Sequence, residues 1–287
     1  MKAKAFEKIT DQIIELLEQG VCPWKHYIAG GSQAPHNFSS KREYNGFNHM
    51  WLSFTRMHKD YKSCEWLTFK QAKELNGTIK KGSKGTTVIY YDFLFVDANG
   101  IKVNKELAVK KIPFIKTFTV FNMEQTEGID WKPVEADEKE TNVIESAERI
   151  INNMPNPPKF TFGGDGAYYR PSNDSVNVPK IQNCTSEAEY YGTFFHELIH
   201  ATGHEKRLNR QEITEEVNFG SQVYSKEELT AELGAAYLCG EADISEQVIE
   251  NQAAYLQGWL KALKNDKKMI FEAAAKATKA AKYIIGG

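Results

Sequence analysis

Apolar residues recur at helical spacing over the first segment of the chain. They are interleaved with acidic residues, and the run ends at Gly20. The apolar positions are Phe6, Ile9, Ile13, Leu16 and Leu17. Residues three and four apart share one face of a helix, and a glycine commonly follows its last turn. We therefore expect an amphipathic helix that ends at Gly20, and no signal peptide.

Two apolar segments of the first half predict β-strands. They are VIYYDFLFV at 88–96 and IPFIKTFTVF at 112–121, with DANG at 97–100 between them. Runs of β-branched and aromatic residues are typical of strands, and Asn-Gly is typical of a hairpin turn. We expect that turn at Asn99 and Gly100.

A polar, acidic stretch after Gly128 divides the chain. It lacks apolar periodicity, which is typical of a linker. The length of the chain is also sufficient for two hydrophobic cores. We therefore predict one domain over residues 1–128, a linker over 129–140 and a second domain over 141–287.

The predicted second domain combines helices with a small sheet. It opens with a helical stripe that stops before Pro155, and short extended pieces follow at 160–179. From Thr185 the pattern is helical, with breaks near Gly240 and Asn265. The predicted fold class is α+β, with strands and helices in both domains.

The motif HELIH at 196–200 lies within an apolar helical segment. Histidines four apart project from one face of a helix, so both imidazoles can bind one Zn²⁺. A pair of core histidines is the alternative, but chance alone produces HExxH only about 0.02 times in a chain of this composition. We predict His196 and His200 as zinc ligands and Glu197 as the catalytic base beside the open position of the metal.

A catalytic zinc requires a third protein ligand, and the segment KEELTAELGAAYL at 226–238 supplies candidates. Glu228 and Glu232 are four apart and share one helix face. Metal-bound histidine normally donates its second N–H to a carboxylate, so we assign Glu228 as the ligand and Glu232 as that acceptor. The reverse assignment stays open, as does a solvated acidic face.

His204 continues the series of histidines four apart. One ion cannot reach all three, because residues 196–204 of a straight helix span about 12 Å. The longer HExxHxxGxxH pattern requires a histidine where this chain has Lys206. We therefore assign no third histidine ligand.

Such a centre predicts metal-assisted amide hydrolysis. The ion polarises a peptide carbonyl, while Glu197 takes a proton from the attacking water and delivers it to the leaving amine. The segment AYYRPSNDSVNVP at 167–179 is a candidate edge strand for a substrate backbone, or else ordinary sheet.

The charge of the chain is divided unequally between its halves. Residues 1–128 carry 19 Lys and Arg against 13 Asp and Glu, a net charge of +6, and the remainder carries 17 against 25, a net charge of −8. A basic half favours an anionic partner, although such asymmetry also occurs without a ligand.

Aromatic and basic side chains are interleaved through residues 22–69, and KKGSKG follows at 80–85. Rings that stack on bases beside cations that neutralise phosphates are what single-stranded nucleic acid requires. A core built from these aromatics and a solvated KKGSKG turn are the alternatives. The candidate contact residues are Lys25, Arg42, Tyr44, Trp66, Lys80, Lys81 and Lys84.

The cysteines and the hydropathy pattern predict a reducing, aqueous compartment. The four cysteines lie far apart and form no CxxC pair. No apolar run approaches the ~20 residues of a membrane span. We expect a cytoplasmic protein with reduced thiols and no membrane partner.

Motifs along nearly the whole chain, in order, resemble those of the ArdC-type antirestriction proteins of plasmids and mobile elements. The first half is similar through REYNGFN at 42–48, WLTFKQAKELNG at 66–77, KKGSKGTTVIYY at 80–91 and VFNMEQTEG at 120–128. The second half is similar through AYYRP at 167–171, HELIHATGHEKRLNR at 196–210 and EELTAELGAAYL at 227–238. The combination is specific, whereas HExxH alone is generic.

The resemblance implies protection of incoming DNA from host restriction. It implies single-stranded DNA bound by the first domain, and a zincin-like metallopeptidase domain with zinc on His196, His200 and an acid of residues 227–232. A host restriction component is then a candidate protein substrate. The segment 211–226 is longer than expected for the family, which leaves Glu228 and Glu232 as alternatives.

Two other functions remain open at this point. In the first, the protein only shields DNA and the metal stabilises the second domain. In the second, the chain is a general cytoplasmic protease whose first half has no affinity for DNA.

Overall fold

The computed structural model describes residues 2–24, 33–132, 142–164, 166–214, 222–244 and 253–286. The first half contains three helices and six strands within these ranges. The helices are α1 (Lys2–Glu18), α2 (Phe47–His58) and α3 (Phe69–Glu74). The strands are β1 (His36–Asn37), β2 (Glu65–Thr68), β3 (Thr78–Ile79), β4 (Thr86–Val96), β5 (Lys110–Asn122) and β6 (Thr126–Glu127).

The strands of the first half form two sheets. The larger has the order β1-β2-β5-β4, and β3 pairs with β6 in the smaller. Strands β4 and β5 are antiparallel, with a register that runs from Thr86 opposite Val120 to Val96 opposite Lys110. The predicted strands are therefore confirmed: β4 begins two residues earlier than predicted, and β5 begins two residues earlier and ends one residue later.

The connection between β4 and β5 is longer than a tight hairpin turn. Gly100 adopts φ +80° and its N–H donates to Asp97 O at 3.1 Å, so the turn at Asn99 and Gly100 is present. The chain then continues through a 3₁₀ turn at Lys105–Leu107 before β5 begins.

The second half contains six helices and three strands within the described ranges. The helices are α4 (Val143–Asn153), α5 (Glu187–Thr202), α6 (Gln211–Thr214), α7 (Gln222–Glu241), α8 (Ala253–Asn265) and α9 (Met269–Ile285). The strands β7 (Lys159–Phe162), β8 (Tyr168–Arg170) and β9 (Ser175–Val178) form a sheet of order β7-β9-β8, so β8 is an edge strand. The α+β class and the breaks near Gly240 and Asn265 are confirmed.

One hydrophobic core joins helices of both halves. Ile13 of α1 and Trp51 of α2 pack in the same cluster as Leu233 of α7, Trp259 of α8 and Ile270 of α9. These side chains are at most 7% exposed, so their burial contributes strongly to the stability of the fold.

The second core lies under the small sheet. It includes Val176 of β9, Phe195 and Ile199 of α5, Leu238 of α7 and Ile284 of α9. Helices α7 and α9 therefore contribute to both cores. The domain limits at residues 128 and 141 stay a prediction. Among the described helices, none has the length and apolar character needed to cross a membrane.

Candidate metal centre and nucleic-acid surface

Helix α5 carries the HELIH motif, and its ends are set by local sequence. Ser186 caps the N-terminus by accepting a hydrogen bond from Glu189 N at 3.1 Å, and Gly203 follows the last residue. Phe195 and Ile199 pack into the second core. The side chains of residues 196, 197 and 200 line a cleft instead. The helix predicted at 196–200 is confirmed.

Three side chains converge from α5 and α7. The Nε2 atoms of His196 and His200 lie 3.1 Å apart. Glu228 Oε2 is 3.5 Å from His196 Nε2, and Glu228 Oε1 is 3.4 Å from His200 Nε2. Within the described ranges, these are the three His, Cys, Asp or Glu side chains whose ligand atoms all lie within 4.8 Å of one another. Two imidazoles and one carboxylate are the donors of many catalytic zinc sites, so the residues fit a metal ion.

Opposite charges hold the two histidines and the carboxylate together. Burial raises the pKa of Glu228, but hydrogen bonds and charge from His196 and His200 hold it well below its ordinary value. Burial lowers the pKa of His200, but hydrogen bonds and charge from Glu227 and Glu228 raise it to about 10. The carboxylate of Glu228 is therefore ionised, as a metal ligand must be.

The carboxylate that orients His200 belongs to Glu227. His200 Nδ1 is 3.2 Å from Glu227 Oε1, which leaves Nε2 directed towards Glu228. The helical spacing predicts Glu232 for this position, but Glu232 lies one helical turn beyond Glu228 and outside the three-residue group. For His200 the acceptor is therefore Glu227 and not Glu232, because neighbouring residues of α7 supply the candidate ligand Glu228 and the acceptor.

Arg210 fixes the orientation of Glu227. Its Nε donates to Glu227 Oε2 at 2.9 Å, and its Nη2 donates to Glu227 Oε1. The same guanidinium donates to Ile199 O at 2.7 Å and to Thr202 Oγ1 at 2.6 Å. Arg210 therefore ties the end of α5 to α7. The sequence signal for it is RLNR at 207–210, directly after the motif helix.

A cleft of about 340 Å³ opens in front of the converging side chains. Glu197 lines it beside His196 and His200, and the side chain of Glu197 is not one of the three ligands. The lining also includes Ala167, Tyr168, Tyr169, Pro171, Glu212 and Ile213. Edge strand β8 therefore borders the same cleft as the HELIH motif.

Arg207 holds strand β8 in this position. Its fully buried guanidinium forms a two-point ion pair with Asp174, with one contact at 3.0 Å, and donates to Ala201 O at 2.7 Å. Tyr169 OH donates to Asp174 Oδ1 at 3.1 Å. Burial and the neighbouring Asp174 carboxylate raise the pKa of Tyr169, so its hydroxyl stays protonated. The loop after α5 is thus linked to the sheet.

His204 lies beyond the end of α5 and is not one of the three converging ligands. Its Nδ1 accepts a hydrogen bond from Lys206 N at 3.2 Å.

The predicted nucleic-acid contacts occupy different environments. Lys25 lies outside the described residues, and Tyr44 is half-buried. Trp66 is 0% exposed and packs with Leu52, so its indole cannot stack on a base in this structure. Trp66 is therefore corrected to a core residue. The exposed members of the set are Arg42, Lys80, Lys81 and Lys84.

The KKGSKG segment forms a turn between β3 and β4. Lys80 Nζ donates to Glu124 O at 2.8 Å, and Gly82 adopts φ +86° with open space around it. A side chain at Gly85 would approach Thr119 Cγ2 to 2.4 Å. Gly85 is therefore required for packing against β5, whereas Gly82 lies at the exposed tip.

Two family models match the chain. The one described as the N-terminal domain of anti-restriction factor ArdC matches residues 3–121. The one described as a zincin-like metallopeptidase matches residues 145–276.

Three curated proteins illustrate the range of relatives. Two Escherichia coli proteins named DNA primase TraC are each 34% identical, over 99% and 97% of this chain. The chain spans only 27% and 20% of the length of those primases. An uncharacterised protein of Sinorhizobium fredii, y4eC, is 32% identical over 97% of this chain and 91% of its own length.

Two crystal structures of the antirestriction protein ArdC from the R388 plasmid superpose on the chain. The metal-free form has a TM-score of 0.76 at 34% identity, and the Mn(II)-bound form has a TM-score of 0.75 at 33% identity. Each match covers 97% of this chain and 96% of the other. Together with the converging ligands, the Mn(II)-bound relative indicates a divalent-metal site.

Proposed function

Since this chain belongs to the ArdC-type antirestriction family and has a zincin-like second half, we propose that it binds single-stranded DNA and hydrolyses peptide bonds at a zinc centre. The observation that carries the peptidase proposal is the convergence of His196, His200 and Glu228 in a cleft that Glu197 also lines. Protection of incoming plasmid or mobile-element DNA from restriction is the biological outcome.

The residues of the cleft divide the catalytic work. His196, His200 and Glu228 would hold the ion, which supplies Lewis-acid polarisation of a peptide carbonyl when bound. Glu197 holds the proton taken from the attacking water and passes it to the leaving amine. Glu227 keeps the ring of His200 oriented through Nδ1.

Strand β8 is suited to binding the substrate backbone. It is an edge strand that borders the cleft, so an extended peptide can pair with it by strand addition. Arg207 and Asp174 hold its end against the loop after α5. Tyr168 of this strand is exposed and lines the cleft, so its ring is available to contact side chains of a bound peptide.

We also propose a cellular location and a class of protein substrate. None of the four cysteines, all of which lie in the described part of the chain, forms a disulfide, which supports a cytoplasmic location. A protein component of the host restriction system is the substrate class that fits both DNA binding by the first half and peptide hydrolysis by the second. Such a protein acts where incoming DNA is bound.

DNA shielding without proteolysis is the second candidate function. Helix α7 carries Glu228 and also contributes Leu233 to the core that it shares with α1 and α2. A metal ion that ties α5 to α7 would therefore stabilise the fold that presents the DNA-binding half, with or without turnover.

The DNA-binding proposal is tested by fluorescence anisotropy of the full chain with labelled single-stranded and duplex DNA at two salt concentrations. We expect tighter binding to the single strand. Replacing Lys80, Lys81 and Lys84 by glutamine is expected to weaken binding and to reduce the slope of log affinity against log salt by about one for each phosphate that the variant no longer neutralises.

The exposed Lys159 on β7 provides the matched control, and its replacement by glutamine should leave DNA binding unchanged. A parent chain that binds neither form of DNA, or that prefers the duplex, would contradict the proposal.

A further inference from the structure

The β4–β5 hairpin extends beyond the sheet to which it belongs. Strand β2 pairs with β5 only over residues 120–122, while β4 and β5 continue to pair with each other from Thr86 and Val120 to Val96 and Lys110. Asn48 attaches β4 to α2, because its side chain bonds Ile89 O at 2.6 Å and Ile89 N at 2.9 Å. The hairpin beyond these contacts presents its own surface.

Three aromatic rings lie on one face of this hairpin. Tyr90 is 47% exposed and lies between Phe118, which is 44% exposed, and the half-buried Phe114. The Tyr90 ring centroid is 6.1 Å from that of Phe114 and 6.2 Å from that of Phe118. We call these three rings, with Lys116, the arm face. Aromatic rings left this exposed on a polar protein surface indicate a binding site.

Lys116 places a positive charge beside the three rings. Lys116 is directly opposite Tyr90 in the strand register, so it projects from the same face, and its Nζ is 5.5 Å from the Phe114 ring centroid. Residues 86–122 contain five lysines against three acidic residues, a net charge of +2.

Strand register also places one carboxylate, that of Asp92, on the arm face, and this carboxylate already accepts hydrogen bonds. Asp92 is opposite Phe114, accepts a hydrogen bond from Tyr90 OH at 2.7 Å and accepts another from Phe93 N at 2.7 Å. Asp92 therefore anchors the Tyr90 hydroxyl within the face.

We propose that the arm face is a stacking platform for the unpaired bases of a single-stranded nucleic acid. The rings of Tyr90, Phe114 and Phe118 supply the flat apolar surfaces on which bases stack, and Lys116 neutralises an adjoining phosphate. Bases inside a duplex are already stacked, so this chemistry selects a single strand. The assignment rests on the proposed DNA-binding function and locates its base contacts.

The test compares the full chain with the Tyr90→Ala/Phe118→Ala variant in anisotropy titrations with an oligothymidylate of about 15 nucleotides. Removal of two stacking rings is expected to weaken single-strand binding by about 100-fold, since each ring contributes about tenfold. Duplex binding should change by less than about twofold, because phosphate contacts dominate it. Circular dichroism confirms that the variant is folded.

Phe162→Ala is the matched control, because Phe162 is a 57% exposed ring on β7 in the other half of the chain. It should bind the oligonucleotide as the parent does. If the parent binds and the Tyr90→Ala/Phe118→Ala variant binds equally well, the arm face is not the stacking platform and its rings serve a protein partner. If the parent itself does not bind single strands, both this proposal and the DNA-binding function are overturned.

Discussion

Replacing Glu197 by glutamine is expected to lower the rate of peptide hydrolysis by about 10²–10⁴-fold, the usual contribution of a general base. Glutamine keeps the shape of the side chain in the cleft but cannot accept the proton of the attacking water. Glu197 is not one of the three converging ligands, so metal affinity should stay close to that of the parent. Mass spectrometry of a digested peptide library, with Zn²⁺ or Mn²⁺ present, measures the rate.

One control and two possible outcomes decide how this result is interpreted. The parent treated with a chelator gives the metal-independent background. A Glu197→Gln variant that cleaves as fast as the metal-loaded parent would show that another group is the base. If the variant loses hydrolysis but still protects DNA from restriction in cells, shielding rather than proteolysis accounts for the protection.

Replacing Arg210 by methionine is expected to lower the free energy of unfolding by about 3–5 kcal/mol, because the buried Glu227 carboxylate loses its two-point ion pair with the guanidinium and keeps only His200 as a partner. Arg210 is 7% exposed and Glu227 is 3% exposed, so water cannot take the place of the guanidinium. The same change should weaken metal affinity by about 10–100-fold, as is usual when the residue that orients a ligand is disturbed. Denaturant unfolding of the metal-free chain and calorimetric metal titration measure the two effects.

The control for Arg210 is Arg149 on α4, which is exposed and whose replacement by methionine should change stability by less than about 0.5 kcal/mol. Adding Glu227→Gln to the Arg210 variant should recover part of the lost stability, since the buried negative charge that lost the guanidinium is then removed. A destabilisation equal to that of the Arg149 variant would contradict the role of the buried pair.

Features that depend on local spacing could be predicted from the sequence. The HELIH face follows from the 3.6-residue period of a helix, and the ends of α5 follow from Ser186 and Gly203. The strand pair β4–β5 follows from its β-branched and aromatic composition. These signals lie within a few residues of the elements that they define.

Features that depend on how elements pack could not be predicted. Both Glu227 and Glu232 are plausible partners of His200 on a helix taken alone, and only the rotation of α7 against α5 selects Glu227. The ion pair of Arg207 with Asp174 joins residues 33 positions apart. Composition likewise does not distinguish the buried Trp66 from the exposed Tyr90, because both are aromatic residues of strands.

Calorimetric titration of the full chain with Zn²⁺ and Mn²⁺ tests most directly whether α5 and α7 build one metal centre. The comparison is between Glu228→Gln and Glu232→Gln, which change the same residue type one turn apart on the same helix. We expect the Glu228 variant to bind the ion more than about 100-fold more weakly, because removal of a direct ligand exceeds the usual effect of removing an orienting residue. The Glu232 variant should bind as the parent does. Retained affinity in the Glu228 variant with weakened affinity in the Glu232 variant would contradict the assignment of the centre.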